Sequence, residues 1–183
     1  KWFIFILSIF AIAGYISIIS NWIRFSSVLI DSLNMHGMIR YGIAIFSLKL
    51  IHEASHAYTA KASGARVRQF GINFIFFLPR IYTDLTDTWK FKNNKLRVLS
   101  STAGIISELI IGGFFAIIWT NTGPGVLNKI SYYIFTVSTI NTIFINANPF
   151  LRFDGYYILM DLLKIDNLHK KGNSVFKNIF RRY

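Results

Sequence analysis

Four long apolar segments alternate with polar stretches along the chain. They cover residues 2–22, 37 to about 60, about 99–120 and about 130–150. Each segment is close to the roughly 20 residues that an α-helix needs to cross a bilayer. Trp2 and Trp22 stand at the two ends of the first segment, where interfacial tryptophans are common. The pattern predicts four transmembrane helices, with residues 24–35 as a short polar connector between the first two.

Residues 65–97 follow a different pattern. Polar and apolar residues alternate over 66–70, residues 71–78 are mostly β-branched or aromatic, and residues 81–83 can resume a strand. We expect Gly64 to end the preceding helix and Pro79 to stop the first strand, because proline has no N–H to donate. The stretch predicts a small antiparallel β-sheet or hairpin at the membrane surface. A short helix is expected at residues 158–163.

Composition supports a membrane protein. Hydrophobic residues make up 53% of the 183 residues and charged residues 15%, whereas soluble domains have about 25% charged residues. The predicted fold class is therefore an all-α multi-span membrane protein, with the small interfacial sheet between spans two and three. There is no cysteine, so a metal ion would have to be held by His, Asp or Glu.

The net charge of +12 would suggest a nucleic-acid partner in a soluble chain. Here most lysines and arginines lie between spans two and three or after Asp154, and we expect no nucleic-acid binding. An excess of basic residues marks the cytoplasmic side of a membrane protein. Four spans then place both ends of the chain in the cytoplasm. The same orientation puts residues 52–56 and Asp154 at a similar depth near the cytoplasmic face.

The second apolar segment contains the sequence HEASH at residues 52–56. On a helix, residues four apart lie on the same face, so His52 and His56 can bind one zinc ion. Glu53 lies about 100° further round the helix, within reach of a water molecule at the metal. The competing interpretation is two core or capping histidines beside a surface glutamate. We favour zinc, because ionisable groups in an apolar span usually have a function.

A catalytic zinc site needs a third protein ligand. The acids in or near the apolar segments are Glu108, Asp154 and Asp161. Asp154 is the best candidate because of its depth, and because Gly155 permits close approach of the backbone. The alternative for Asp154 is an N-cap of the short helix that follows. His36 is interpreted as an interfacial residue.

The two motifs together resemble the site-2 proteases, which are intramembrane zinc metalloproteases. Their pattern is H-E-x-x-H followed, two spans later, by N-x-x-P-x-x-x-x-D-G. This chain has HEASH at residues 52–56 and NANPFLRFDG at residues 146–155. The ending FDGYY resembles the bacterial branch of peptide zinc metalloproteases. The resemblance covers roughly residues 37–165, and it implies Zn²⁺ at His52, His56 and Asp154 with Glu53 as the catalytic base.

The resemblance divides the chain into three parts. Residues 1–35 form an accessory transmembrane helix and connector, residues 36–165 a site-2-protease-like catalytic core, and residues 166–183 a basic cytoplasmic tail. It implies an intramembrane zinc metalloendopeptidase that cleaves a membrane-associated or small peptide near the cytoplasmic face of a bacterial cell membrane. The expected partners are a peptide or transmembrane-segment substrate and membrane lipid. The oligomeric state is not specified.

One position departs from the family pattern. The family often has Gly-Pro-x-x-Asn on the middle span, and this chain has GIISE at residues 104–108. Glu108 can donate a hydrogen bond to substrate only when it is protonated, which burial favours. Alternatively, it forms an ion pair with Lys49.

Three further assignments concern the substrate and the membrane. Asn146 and Asn148 are candidate donors to the oxyanion, and interhelical hydrogen bonding is an equal alternative for each. The segment 72–78 can present a strand edge to substrate or act as an interfacial anchor. We expect the segment 90–97 to rest on anionic lipid.

Two rival functions are retained. The first is a catalytically impaired protein of the same fold that binds a peptide for export or immunity. The second is a carrier or metal transporter, since acids and histidines also line ion paths.

Overall fold

A computed structural model describes residues 2–75, 77–165, 167–172 and 174 of the chain. The described part is mostly helical, with one small antiparallel sheet, as the sequence predicts. A 3₁₀ turn at Thr86–Lys90 and a π-helical turn at Asn141–Asn146 complete the regular structure. The remaining elements, in chain order, are α1 (Trp2–Ser20), α2 (Trp22–Asp31), α3 (Met35–Ala62), β1 (Phe70–Ile75), β2 (Leu78–Thr83), α4 (Asn94–Asn121), α5 (Val126–Ile140) and α6 (Asp154–Leu163).

Helix α4 is the central element, and α1, α3, α5 and α6 all pack against it. Small residues allow the closest of these contacts. A Cβ atom added at Gly113 would collide with the backbone of Ala11, and one added at Gly14 would collide with the backbone of Gly113. Helices α1 and α4 therefore pack backbone against backbone, as small residues permit in membrane helix pairs.

An aromatic cluster fills the core near the C-terminal end of α4. Trp119 of α4 packs against Tyr132 and Phe135 of α5, with ring centroids 6.0 and 5.7 Å apart. Phe25 of α2 closes the cluster, and the guanidinium of Arg24 lies 4.4 Å from the centre of the Trp119 ring. This core fixes one end of the bundle and leaves the N-terminal half of α4 for polar residues.

The predicted connector at residues 24–35 is wrong over most of its length. The chain bends by 82° after Ser20 and continues as helix α2. Apolar residues recur at helical spacing in this segment, so that Phe25 and Val28 pack on the core while Ile23 remains 86% exposed. The serines and Arg24 suggested a polar loop, whereas the apolar face of the helix is partly buried by tertiary packing.

The number of membrane spans stays a prediction. Among the described residues, α4 is the one helix that is long and apolar enough by itself to cross a membrane, and the bent pair of α1 and α2 adds a second if it counts as one span. Helix α3 has 28 residues but carries Arg40, Lys49, Glu53 and Lys61. Helix α5 has 15 residues and passes into the π-helical turn.

Strands β1 and β2 form a two-stranded hairpin in which Phe70 pairs with Thr83 and Ile75 with Leu78. We expected Pro79 to stop the first strand. Instead it lies inside β2, opposite Phe74. A two-stranded sheet tolerates proline because each strand has an unpaired edge that needs no N–H donor. Thr83 Oγ1 donates to the backbone carbonyl of Glu53 at 2.9 Å, which docks the hairpin beside the HEASH segment.

The ends of two other predicted elements agree with the structure. Helix α3 ends at Ala62, and Gly64 follows with a φ of 94° that suits glycine. The short helix predicted at residues 158–163 is the second part of α6. Lys177, Arg181 and Arg182 of the predicted basic tail lie outside the described residues.

Candidate metal site

His52 and His56 lie one turn apart on the face of α3 that packs against α4. Both side chains are buried, and their Nε2 atoms are 3.0 Å apart. The helical spacing brings the two imidazoles together, as expected from the i, i+4 relationship. The two rings meet edge to face, with their centroids 4.7 Å apart.

Asp154 approaches the two histidines from the start of α6. Its Oδ2 atom lies 2.9 Å from His52 Nε2 and 3.2 Å from His56 Nε2. The N-cap of α6 is Phe153, so Asp154 does not have the capping position that was its alternative. Gly155 makes the approach possible, because a Cβ atom at this position would collide with the carbonyl group of Ala147. The Asp154 side chain keeps 22% of its surface exposed, whereas both histidines are buried.

The hydrogen bonds behind the rings define which nitrogen of each imidazole carries the proton. His56 Nδ1 lies 2.7 Å from the backbone carbonyl oxygen of Ser100, and His52 Nδ1 lies 3.0 Å from Glu108 Oε1. A carbonyl or a carboxylate oxygen accepts hydrogen bonds, so we infer that both Nδ1 atoms donate. Both Nε2 atoms then point their lone pairs towards each other and towards the Asp154 carboxylate. Three acceptors that converge in this way can hold a cation between them.

The geometry fits a zinc ion. Zinc binds imidazole nitrogen and carboxylate oxygen at about 2.0–2.2 Å in tetrahedral geometry, which separates the donor atoms by about 3.3–3.5 Å. The three distances of 2.9–3.2 Å are somewhat shorter than this. Gly104 keeps the adjacent space open, because a Cβ atom there would lie 2.5 Å from both Nε2 atoms. These residues therefore match the His₂Asp donor set of a zinc centre.

Glu108 is buried behind His52 and is an acceptor for several neighbours. Besides His52, it accepts hydrogen bonds from Asn141 Nδ2 at 3.0 Å, Thr142 Oγ1 at 2.5 Å and Asn146 Nδ2 at 3.0 Å. The three donors come from the π-helical turn. One alternative for Glu108 was an ion pair with Lys49. In the structure, Lys49 Nζ donates instead to Asn146 Oδ1 at 3.1 Å. Glu108 thus faces the back of a histidine rather than the open side of the site.

Neither predicted oxyanion donor points freely into the site. Asn146 is buried and is held between Lys49 and Glu108. Asn148 lies in the turn before α6, where its Nδ2 donates to Phe144 O at 3.3 Å and its Oδ1 accepts from Phe150 N at 2.9 Å. The hydrogen bonds of Asn146 match the interhelical alternative that the sequence left open, whereas those of Asn148 are local to its own turn.

Glu53 is half-buried on α3, directly after His52. Its backbone carbonyl receives the hydrogen bond from the hairpin. Within the described part of the chain, its carboxylate makes no hydrogen bond or ion pair, in contrast to Glu108 and Asp154. The carboxylate is therefore available to a bound molecule.

Asp161, the remaining acidic candidate, serves α6 in another way. It forms a buried ion pair with Arg97 of α4. The Arg97 guanidinium also lies 4.3 Å from the centre of the Trp89 ring, and Trp89 contacts Tyr157 edge to face. This contact set clamps α6 to the start of α4, and so holds the helix that begins with Asp154.

Sequence reasoning named Glu108 on α4 as a candidate but missed the roles of Ser100 and Gly104 on the same helix. Ser100, Gly104 and Glu108 are spaced four residues apart, so they form one face of that helix. A serine, a glycine and a glutamate in such a row, within an apolar span, are a readable signal of a polar helix face. The partner of that face is not readable from the spacing.

Comparison with known proteins agrees with the geometry. The model of peptidase family M50 matches residues 41–134, which include His52, Glu53 and His56 but not Asp154. No curated protein and no solved structure matches the chain. The family match covers half of the chain, over the segments that build the histidine pair and its partners on α4. The chain belongs to peptidase family M50, the family of the site-2 proteases.

Proposed function

We propose that this protein is an intramembrane zinc metalloprotease of the site-2 type. It hydrolyses a peptide bond of a small or membrane-associated peptide near the cytoplasmic face. The observation that carries the proposal is the convergence of His52 Nε2, His56 Nε2 and Asp154 Oδ2 within 3.2 Å of one another. Family membership supports a metallopeptidase, and the FDGYY ending supports the bacterial peptide zinc metalloprotease branch.

The residues have separate roles in this mechanism. His52, His56 and Asp154 hold the zinc ion, and the hydrogen bonds of the two Nδ1 atoms keep the rings in position. A bound zinc ion would supply Lewis-acid chemistry, by polarising a scissile carbonyl group and by lowering the pKa of a water molecule towards about 7. The Glu53 carboxylate takes a proton from the attacking water and delivers it to the leaving amine nitrogen.

The exposed apolar surface supports a membrane location. Large apolar side chains are exposed along one face of α1. Soluble proteins, in contrast, rarely expose contiguous apolar patches. They include Phe5, Ile9, Ile12, Ile16 and Ile19. We infer a multi-pass protein whose chain ends are cytoplasmic, with lipid around α1 and α4. The partly exposed side of Asp154 then faces the cytoplasm, from which water and substrate would reach the site.

The test of function is the variant Glu53→Gln. Purified wild-type protein and the variant are reconstituted in liposomes with zinc and incubated with a set of small apolar peptides, and the products are identified by mass spectrometry. We expect the variant to retain zinc and to lose cleavage by about 10²–10⁴-fold, the usual contribution of a general base. Asp31→Asn, which changes an exposed carboxylate on α2, is the matched control and should cleave normally.

Two results would contradict the proposal. One is cleavage by Glu53→Gln at the wild-type rate. The other is zinc-loaded wild-type protein that cleaves none of the peptides, which would favour the rival peptide-binding protein. Peptide movement across the liposome membrane that survives the substitution would favour a carrier.

A further inference from the structure

Four side chains form a continuous hydrogen-bonded row behind the metal site. Lys49 Nζ lies 3.1 Å from Asn146 Oδ1, Asn146 Nδ2 lies 3.0 Å from Glu108 Oε2, and Glu108 Oε1 lies 3.0 Å from His52 Nδ1. Asn146, Glu108 and His52 are each about 99% buried. The row joins α3, the π-helical turn and α4, and ends at one of the three predicted zinc ligands.

The row has one direction of donation throughout. An ammonium group can only donate hydrogen bonds and a carboxylate can only accept them. The Asn146 amide between them is therefore fixed with its oxygen towards Lys49 and its nitrogen towards Glu108. Glu108 in turn accepts from His52 Nδ1, which leaves the Nε2 lone pair of His52 for the metal.

We propose that Lys49, Asn146 and Glu108 form a positioning relay that sets the tautomer and the ring orientation of His52 for zinc. This inference rests on the zinc site of the proposed function and adds the residues that tune it. Carboxylate partners of ligating histidines hold the ring and strengthen the ligand. Lys49 supplies the opposite charge that a buried carboxylate needs, at the far end of the row.

The second histidine has a different support, which makes the relay specific to one ligand. His56 Nδ1 donates to the backbone carbonyl of Ser100, and a backbone group needs no charged partner. Substitutions in the relay should therefore disturb one ligand of three. The remaining ligands, His56 and Asp154, keep the site partly formed, so we expect weaker zinc binding rather than none.

The single variants break the direction of donation in opposite ways. In Glu108→Gln, the new glutamine amide has one oxygen and one nitrogen, whereas both neighbours, His52 Nδ1–H and Asn146 Nδ2, are donors. The glutamine nitrogen therefore has to face one of these two donors. Turning the Asn146 amide only transfers the conflict to Lys49, so one donor always faces another donor. In Asn146→Asp the new carboxylate faces Glu108, so acceptor faces acceptor.

The double variant Glu108→Gln with Asn146→Asp restores the order. The glutamine oxygen accepts from His52 Nδ1, and the glutamine nitrogen donates to the new carboxylate. That carboxylate also accepts from Lys49, and the net charge of the row is unchanged. A relay therefore predicts that the double variant binds zinc better than either single variant. If the two losses were simply additive, the double variant would bind zinc more weakly than either single variant.

The experiment measures zinc affinity by competition with a chromophoric chelator, using full-length protein in detergent. It requires no substrate. We expect each single variant to bind zinc about 10–100-fold more weakly than wild type, and the double variant to recover most of this loss. Lys49→Met, at the half-buried end of the row, should give a smaller loss. Asp31→Asn makes the same chemical change on an exposed surface and should leave the affinity unchanged.

The outcomes separate this inference from the proposed function. Wild-type zinc affinity in both single variants overturns the relay and leaves the protease proposal intact. A double variant that is no better than the weaker single variant also overturns the relay. If the single variants fail to fold, the Lys49→Met variant decides, and an unchanged affinity there contradicts the inference. Wild-type protein that binds no zinc overturns both proposals.

Discussion

The backbone carbonyl oxygen of Ser100 accepts a hydrogen bond from Nδ1 of His56 at 2.7 Å. Helix α4 thus orients a ligand on helix α3 through its main chain. The other histidine is oriented through the side chain of Glu108, two helical turns further along α4. The same helix face holds both rings, and between these two contacts it has a residue without a side chain, Gly104.

That glycine gives the first prediction. Gly104→Ala should abolish zinc binding and cleavage, because the new methyl group would lie 2.5 Å from both Nε2 atoms. Substituting glycine by alanine in a helix otherwise stabilises it by about 0.5–1 kcal/mol. The expected result is therefore loss of zinc without loss of helical structure, measured by metal analysis and circular dichroism.

Gly42→Ala on α3 is the matched control. A Cβ atom at Gly42 meets no atom within 4 Å. This variant should keep its zinc and unfold at the same or a slightly higher temperature. Zinc retained by Gly104→Ala at the wild-type level would contradict the position assigned to the metal.

The clamp on α6 gives a second prediction. Arg97→Met removes the ion pair between Arg97 and the buried Asp161 carboxylate, and breaking a buried pair by removing one partner costs up to about 3–5 kcal/mol. Because α6 begins with Asp154, zinc affinity should fall together with stability. Thermal unfolding and chelator competition measure the two effects. Lys90→Met, which removes an exposed ion pair with Asp87, should change neither measurement appreciably.

The contacts of Asp87, which lies outside the metal site, should make the local stability of this segment depend on pH. Its Oδ2 accepts from the Arg66 backbone N–H at 2.9 Å, and Lys90 contacts its other oxygen. These contacts, that of Arg66 first, lower the pKa of the Asp87 carboxyl group below its ordinary value of 3.8. A lowered folded-state pKa means that the stabilisation is complete above about pH 4 and is lost as the pH falls through the folded-state value.

Hydrogen exchange at the Arg66 amide measures this effect. We expect protection above pH 4, loss of protection at lower pH, and no protection at any pH in Asp87→Ala, which removes the acceptor. An Arg66 amide that is equally protected in wild type and in Asp87→Ala would show that the contact does not hold this segment.

Metal removal gives a further prediction. Without zinc, the lone pairs of two imidazoles and a carboxylate face one another, so the folded state should be less stable. A ligand that binds only the folded state stabilises it by about 2.7 kcal/mol at a hundredfold excess over its Kd. Chelation should therefore lower the unfolding temperature reversibly, and added zinc should restore it. Calcium should not substitute, because it prefers oxygen ligands.

The sequence predicted the features that depend on local spacing. The i, i+4 histidines lie on one helix, and the small sheet forms where β-branched and aromatic residues cluster. The structure also brings Asp154 to both histidines, which the order of the two motifs indicated. These features follow from helical periodicity and from the match to a known pattern.

What the sequence did not predict depends on contacts between distant segments. Helix α2 looked like a connector because its apolar face acquires a partner only in the folded core. Pro79 looked like a strand terminator because the unpaired edges of a two-stranded sheet are not visible in a linear pattern. Glu108 was expected to pair with Lys49 or to donate to substrate, whereas the π-helical turn places Asn146 between the two charges.

The central claim is that three side chains bind one zinc ion, and metal analysis tests it most directly. Zinc is measured per chain in purified wild-type protein and in His56→Ala, Asp154→Ala and Asp31→Asn. We predict about one zinc per chain in wild type and Asp31→Asn, and a large loss in the other two. Wild-type protein without zinc after exposure to the metal, or full zinc in Asp154→Ala, would contradict the account.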